Sequence, residues 1–241
     1  MTEPTVNEDQ SPLTKPKFII SAVVVAIIVA LGIILALLPK GGGTPTAEPS
    51  NSGSTTASTQ PSAAAAASVC GLPSGDQNKP ATTPKDTKWE LVGKIAAPTS
   101  PAQFGPGKTE ANGLRSCFAH SPTGALFAGA NMIVLGSSGR PDLLAQHLVV
   151  EGPERDKMLA EPPTSAPTTA PFQIAGYKIV DYAGDRAVIE YGLKAANGSV
   201  GSVPVAMQWQ GGDWKWVLPA TGMTEARQLS DLNGFISWAG V

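Results

Sequence analysis

The thiols and imidazoles of this sequence, the side chains best suited to bind a transition metal or to form a nucleophile and base pair, are Cys70, Cys117, His120 and His147. Cys117 and His120 stand three apart, and with Cys70 and His147 they would make up a two-Cys, two-His set. The intervals match no usual zinc spacing. A Cys-x-x-His pair also lacks the third, orienting group that activates a thiol nucleophile. A disulfide between Cys70 and Cys117 is the expected use of the two thiols if the compartment is oxidising, and no metal is expected. The chain carries no G-x-S-x-G elbow, no H-E-x-x-H and no phosphate-cradling glycine loop, so neither an enzyme nor a cofactor is expected. Asp181, beside Tyr182, is the carboxylate that could shuttle a proton, although a solvent-facing strand position explains it more simply. The aromatic residues Tyr177, Tyr191, Trp209, Trp214 and Trp216, with Tyr182, are the candidate ligand or partner surface, set against ordinary cross-strand packing. Asn197-Gly198-Ser199 reads as a glycosylation sequon, but turn chemistry accounts for it.

The elements that would position these residues follow from periodicity. Residues 89–96 (WELVGKIA) alternate and predict a strand. A loop rich in Pro and Gly leads to Ser121-Pro122, a cap followed by proline at the first helical position. This opens a helix that is apolar all round and ends at Gly136 or Gly139. Pro141 opens a second helix through Val149, and residues 154–161 make a third. A Pro-rich connector follows over 162–171. From Phe172 the period changes to two, and Ala183-Gly184-Asp185, Asn197-Gly198 and Gly211-Gly212-Asp213 cut the chain into a four-stranded antiparallel meander. Pro204 interrupts the third strand and predicts an edge or a bulge there. Residues 229–238 predict a terminal helix. Helices followed by a curved antiparallel sheet make an α+β domain over 70–241.

Three further segments precede that domain. Residues 1–17 read as a short cytoplasmic tail. Residues 18–38 (FIISAVVVAIIVALGIILALL) hold Ser21 as their one polar side chain and would cover about 31 Å as a helix, close to a bilayer core. They predict a signal-anchor contacting the lipid bilayer, with Lys15 and Lys17 on the cytoplasmic side. Residues 39–69 are Gly, Ser, Thr, Pro and Ala with little charge, the composition of a disordered tether. The domain is thereby expected to be extracytoplasmic. With 17 Lys and Arg against 19 Asp and Glu, scattered along the chain, no nucleic-acid partner is expected.

The pieces CGLPSGDQ (70–77), DTKWELVGKIAAPTSPAQFGPGK (86–108), GLRSCFAHSPTGALFA (113–128) and DLNGFISWAG (231–240) resemble an uncharacterised family of actinobacterial single-pass membrane proteins, often linked to conjugative elements. The order of elements resembles the nuclear-transport-factor-2-like fold, whose cone-shaped sheet wraps a buried helix. The resemblance implies a membrane-anchored interaction module, a scaffold or accessory subunit of a conjugative or secretion apparatus with envelope proteins as partners. The alternative is a binding module for a small apolar or cell-wall-derived ligand. No catalytic residues are implied.

Overall fold

In the computed structural model, which describes residues 67–161, 171–222 and 226–240, Ser121 is extended (φ −153°, ψ 164°). Its Oγ accepts the Gly124 N–H at 3.0 Å, so proline at the next position can open helix α1, Pro122–Ser137. Every residue of α1 from Pro122 to Leu135 is buried, including Asn131. Asn131 is tolerated because its Nδ2 donates to the carbonyls of Phe127 (2.9 Å) and Pro98 (3.0 Å). At the other end the Ser138 N–H and Oγ both bond to Leu135 O and close the helix. Two shorter pieces follow: α2, Pro141–Leu143, continued by a π-helical stretch Leu144–Leu148, and α3, Pro153–Ala160. The last carbonyls of the π stretch are capped by cations. Arg155 donates to Ala145 O and Gln146 O, both at 3.0 Å, and Lys215 donates to His147 O.

The helix lies against a mostly antiparallel sheet of β5 (Phe172–Tyr182), β6 (Arg186–Ala195), β7 (Val200–Gln210), β8 (Asp213–Trp216), β9 (Arg227–Leu229) and β10 (Ile236–Ser237). The order is β10-β5-β6-β7-β8, with β9 pairing β7 beside β8. Inward positions Ile174, Tyr177, Ala187, Ile189, Tyr191, Val203, Val205, Met207, Trp214 and Trp216 form one core with α1. Contact is closest at Gly129 of α1, where a Cβ would run into the Tyr191 hydroxyl. A separate hairpin, β1 (Lys88–Val92) and β2 (Ile95–Thr99), is tied to the sheet by Gln173, whose side chain bonds Ala96 N (2.9 Å) and Lys94 O (2.8 Å). The two-residue strands β3 (Lys108–Thr109) and β4 (Arg115–Ser116) pair with each other.

Several expectations need correction. The sheet has six strands rather than four and the described residues are mostly sheet, so the α+β, nuclear-transport-factor-2-like arrangement does not describe them. Residues 89–96 are a hairpin, not one strand. Gly93 at φ 63° turns the chain back between Val92 and Ile95. Residues 229–238 hold the last residue of β9, a turn and the short strand β10 rather than a helix. Asp231 Oδ1 takes the Asn233 N–H at 2.8 Å and Gly234 sits at φ 83°, an Asx turn that halts any helix before Ile236 pairs with Tyr177. The expected anchor at 18–38, the tail 1–17, most of the tether 39–69 and connector residues 162–170 lie outside the described residues. Among the described residues no helix is long and apolar enough to cross a membrane, so the membrane and signal-anchor assignment finds no support in the fold.

The meander itself follows its turn signals, and Pro204 has a local reason. It faces Glu190 on one side, whereas on the other β9 ends its pairing at Ser202 and β8 begins at Met207. The missing N–H therefore falls in a gap where strand β7 is briefly an edge.

Candidate functional site

Cys70 and Cys117 are joined in a disulfide with Cα atoms 6.0 Å apart, which uses both thiols. Cys117 has φ 72°, rare for a residue with a side chain, and its backbone is held by a buried acid. Asp213 accepts three N–H groups: Cys117 at 2.6 Å on Oδ2, and Phe118 (3.0 Å) and Trp214 (2.9 Å) on Oδ1. Burial pushes the Asp213 carboxyl above its ordinary value, against the opposing pull of those three bonds. This clamp joins the first residue of β8 to the residues just before α1. Its role is structural.

His120 is buried and stacks on Trp209, with ring centroids 4.0 Å apart and an interplanar angle of 7°. Trp214 meets the imidazole edge-on at 5.7 Å, and Nε2 lies 3.0 Å from Asp185 Oδ1 in the β5–β6 turn. Trp214 Nε1 donates to Ala119 O (3.0 Å), and Tyr182 donates to Gln77 Oε1 (2.6 Å). Burial raises the Tyr182 hydroxyl to about 12. His147 is exposed and far along the chain from this cluster. Its carbonyl accepts from Lys215, and among the described residues Cys117, His120 and His147 are not assembled as ligands. Asp181 is exposed at the bulge between Ile179 and Asp181.

Of the five aromatic candidates, Tyr177, Tyr191, Trp214 and Trp216 are core residues, and Trp209 is half-buried. The structure brings Trp209 and Trp214 together at 5.4 Å, while Tyr177 packs instead on Trp238 (5.6 Å). Tyr177 donates to Thr82 O (2.9 Å) and Tyr191 to Leu126 O (2.8 Å). Burial lifts both hydroxyls, Tyr177 to about 12. Two clefts open on the described surface: one of about 420 Å³ between the β6–β7 hairpin and β9, the other of about 300 Å³ beside α3. None of the five lines either cleft.

The face of the sheet turned away from α1 is different. At its β10 end Leu232 and Phe235 lie over Gly176 and Gly192, where a Cβ would meet those side chains at 2.9 to 3.3 Å. Next comes a charged row in which the buried Glu190 accepts from Arg227 and Ser202 (2.8 Å) and pairs with Lys178 (3.3 Å). Burial works to raise the Glu190 carboxyl, but these partners outweigh it and hold the group below its ordinary value.

Beyond that row lie Val180, Val188, Ala206 and Val217, one residue from each of four neighbouring segments. Val188 pairs with Ala206, the Val217 N–H donates to Ala206 O, and Val180 falls at the bulge opposite Val188. Val180 is 49% and Val217 36% exposed, and Val188 and Ala206 are half-buried. Sequence reasoning overlooked this row, although its signal was present. In β6, β7 and the end of β8 the alternation breaks at the same register, as Ala187-Val188-Ile189, Val205-Ala206-Met207 and Trp216-Val217-Leu218.

Among the described residues no group of three or more His, Cys, Asp or Glu could hold a metal ion. Residues 49–237 match the family model of a domain of unknown function, DUF8175. No curated protein and no solved structure matches the chain.

Proposed function

We propose that this chain, which belongs to the DUF8175 family of domains of unknown function, is a protein-interaction module working outside the cytoplasm, a scaffold or accessory subunit of a conjugative or secretion apparatus of the cell envelope. The observation that carries the interaction reading is the apolar row Val180, Val188, Ala206 and Val217, exposed at its two ends and half-buried in its middle. Strands with one face on a core normally turn polar residues outward, and here four neighbouring segments depart from that rule at one register. The side facing α1 is filled by packed side chains, so among the described residues the exposed apolar positions of the sheet are on the other side. Support for an exterior address comes from the Cys70–Cys117 disulfide, which persists in oxidising compartments. The link to a transfer apparatus rests on the resemblance of residues 70–77, 86–108, 113–128 and 231–240.

The test is site-specific photo-crosslinking in the native host. A photoreactive residue at Val188 or Val217 is expected to give discrete protein adducts, whereas one at Leu159, exposed on α3, gives none. Adducts of equal yield at all three positions, or none at Val188 and Val217, would remove the reading.

A further inference from the structure

We infer that the outer edge of β1 pairs with the same edge of a second copy of this chain, the two strands running antiparallel about a two-fold axis at Trp89; this edge is apart from the valine row and does not depend on the reading above. β1 pairs with β2 alone. In that hairpin Ala96 and Pro98 turn main-chain groups away from β1: the Ala96 N–H donates to Gln173 Oε1 at 2.9 Å, and Pro98 O accepts from Asn131 Nδ2 at 3.0 Å. Trp89 and Leu91, which stand opposite Pro98 and Ala96, therefore occupy the non-hydrogen-bonded pairs and turn their own N–H and C=O away from β2. Among the described residues nothing bonds these four groups. The edge of β8 is closed instead, since the Val150 N–H donates to Trp216 O at 2.9 Å. An edge left open in this way is a template for another strand. Leu91 adds apolar contact there, at 70% the most exposed large apolar side chain among the described residues.

A second copy completes this edge because an antiparallel pair of identical strands satisfies both members at once. The free groups fall at Trp89 and Leu91, so the axis can pass through Trp89, Glu90 or Leu91, and charge chooses among them. At Glu90 it sets Glu90 against the partner's Glu90, and at Leu91 it sets Lys88 against the partner's Lys94. At Trp89 it sets Lys88 against the partner's Glu90, twice by symmetry, and brings Leu91 opposite the partner's Thr87. Lys88 is exposed and has no ion pair among the described residues. Glu90 Oε2 accepts from Arg115 at 2.8 Å, yet the Glu90 side chain remains 55% exposed and Oε1 has no bond among the described residues. Arg115 offsets part of the carboxylate charge, so the ion pairs select the register while the main-chain bonds and Leu91 supply the contact. The Trp89 ring packs on Trp238 at 5.0 Å and stays with its own chain, leaving its main chain to meet the partner.

The experiment uses the full chain in detergent, once with Lys88→Cys and once with Glu90→Cys. Residues facing each other across such a ladder have Cβ atoms about 4.5–5.5 Å apart, near the disulfide range. Under mild oxidation a mixture of the two variants is expected to give a dimer linked between positions 88 and 90, and either variant alone far less. In sedimentation, Leu91→Pro, which removes an N–H that the β1–β2 ladder does not use, should weaken self-association at least tenfold. Lys88→Glu should weaken it about fivefold, and adding Glu90→Lys should restore it. The cysteine variants carry the test if Leu91→Pro fails to fold. A chain that stays monomeric, a dimer indifferent to Leu91→Pro and Lys88→Glu, or a link formed as readily by Glu90→Cys alone would overturn the inference. Crosslinks at Val188 in cells without self-association would leave the interaction reading standing and remove only the strand-paired dimer.

Discussion

Replacing Asp213 with Asn changes one atom and should loosen the junction between the disulfide and the core. Oδ1 already accepts Phe118 and Trp214, so an amide oxygen can keep those two bonds. The amide nitrogen then faces the Cys117 N–H, donor against donor, where Oδ2 now accepts at 2.6 Å. A buried donor left without an acceptor costs about 1–3 kcal/mol. For a domain of this size that corresponds to a fall in Tm of about 2–12 °C at neutral pH. The sign of the pH dependence is set by burial. The folded carboxyl sits above the ordinary aspartate range, so the folded state holds the proton more tightly than the unfolded chain. Its contribution to stability is complete below the ordinary range and declines as the pH rises through the raised value. The deficit of Asp213→Asn should therefore widen as the solution is made more acidic. Urea unfolding followed by tryptophan fluorescence at several pH values measures both effects. A variant within about 0.5 kcal/mol of the parent at every pH, the usual scale of a surface change, would refute the clamp.

Three other perturbations have defined outcomes. Cys70→Ser with Cys117→Ser opens a loop of sequence separation 47, which in the chain-entropy model removes about 4 kcal/mol, read as a lower urea midpoint that reductant does not lower further. Gly129→Ala forces a methyl group into the Tyr191 hydroxyl, which donates to Leu126 O, and should destabilise by about 1–3 kcal/mol in thermal unfolding, whereas Ala at Gly113, where a Cβ has open space but φ is positive, tests backbone strain alone. Glu190→Gln should reduce acid sensitivity: the folded Glu190 carboxyl lies below its ordinary value, so the parent loses this contribution as the pH falls through that lowered range and the variant has none to lose.

Much of the layout was legible because its signals are local. Ser121 and Pro122 announce α1 by capping chemistry, and the three glycine turns divide the meander where the structure divides it. What sequence reasoning missed depends on partners distant in the chain. Strands β9 and β10 have three and two residues, too few for any periodicity, and exist because β7 and β5 offer edges to pair with. Leu232, Phe235 and Ile236 mimic helical spacing, yet Leu232 and Phe235 answer to Gly176 and Gly192 across the sheet. The aromatic residues drew attention as a surface because type alone suggests recognition, whereas burial decides it. Tyr177, Tyr191, Trp214 and Trp216 are spent on the core. The apolar row was hidden for the opposite reason. Each valine looks like strand filler until the register aligns Val180, Val188, Ala206 and Val217.

The central claim is that this row is open in the isolated chain and covered where the protein works. Oxidative footprinting of the purified chain and of the same chain in its native envelope measures both conditions on one molecule. Val180, Val188 and Val217 should react in the purified chain and be protected in the envelope, with Leu159 reacting alike in both. Equal reactivity of the three valines in the two settings would contradict the account.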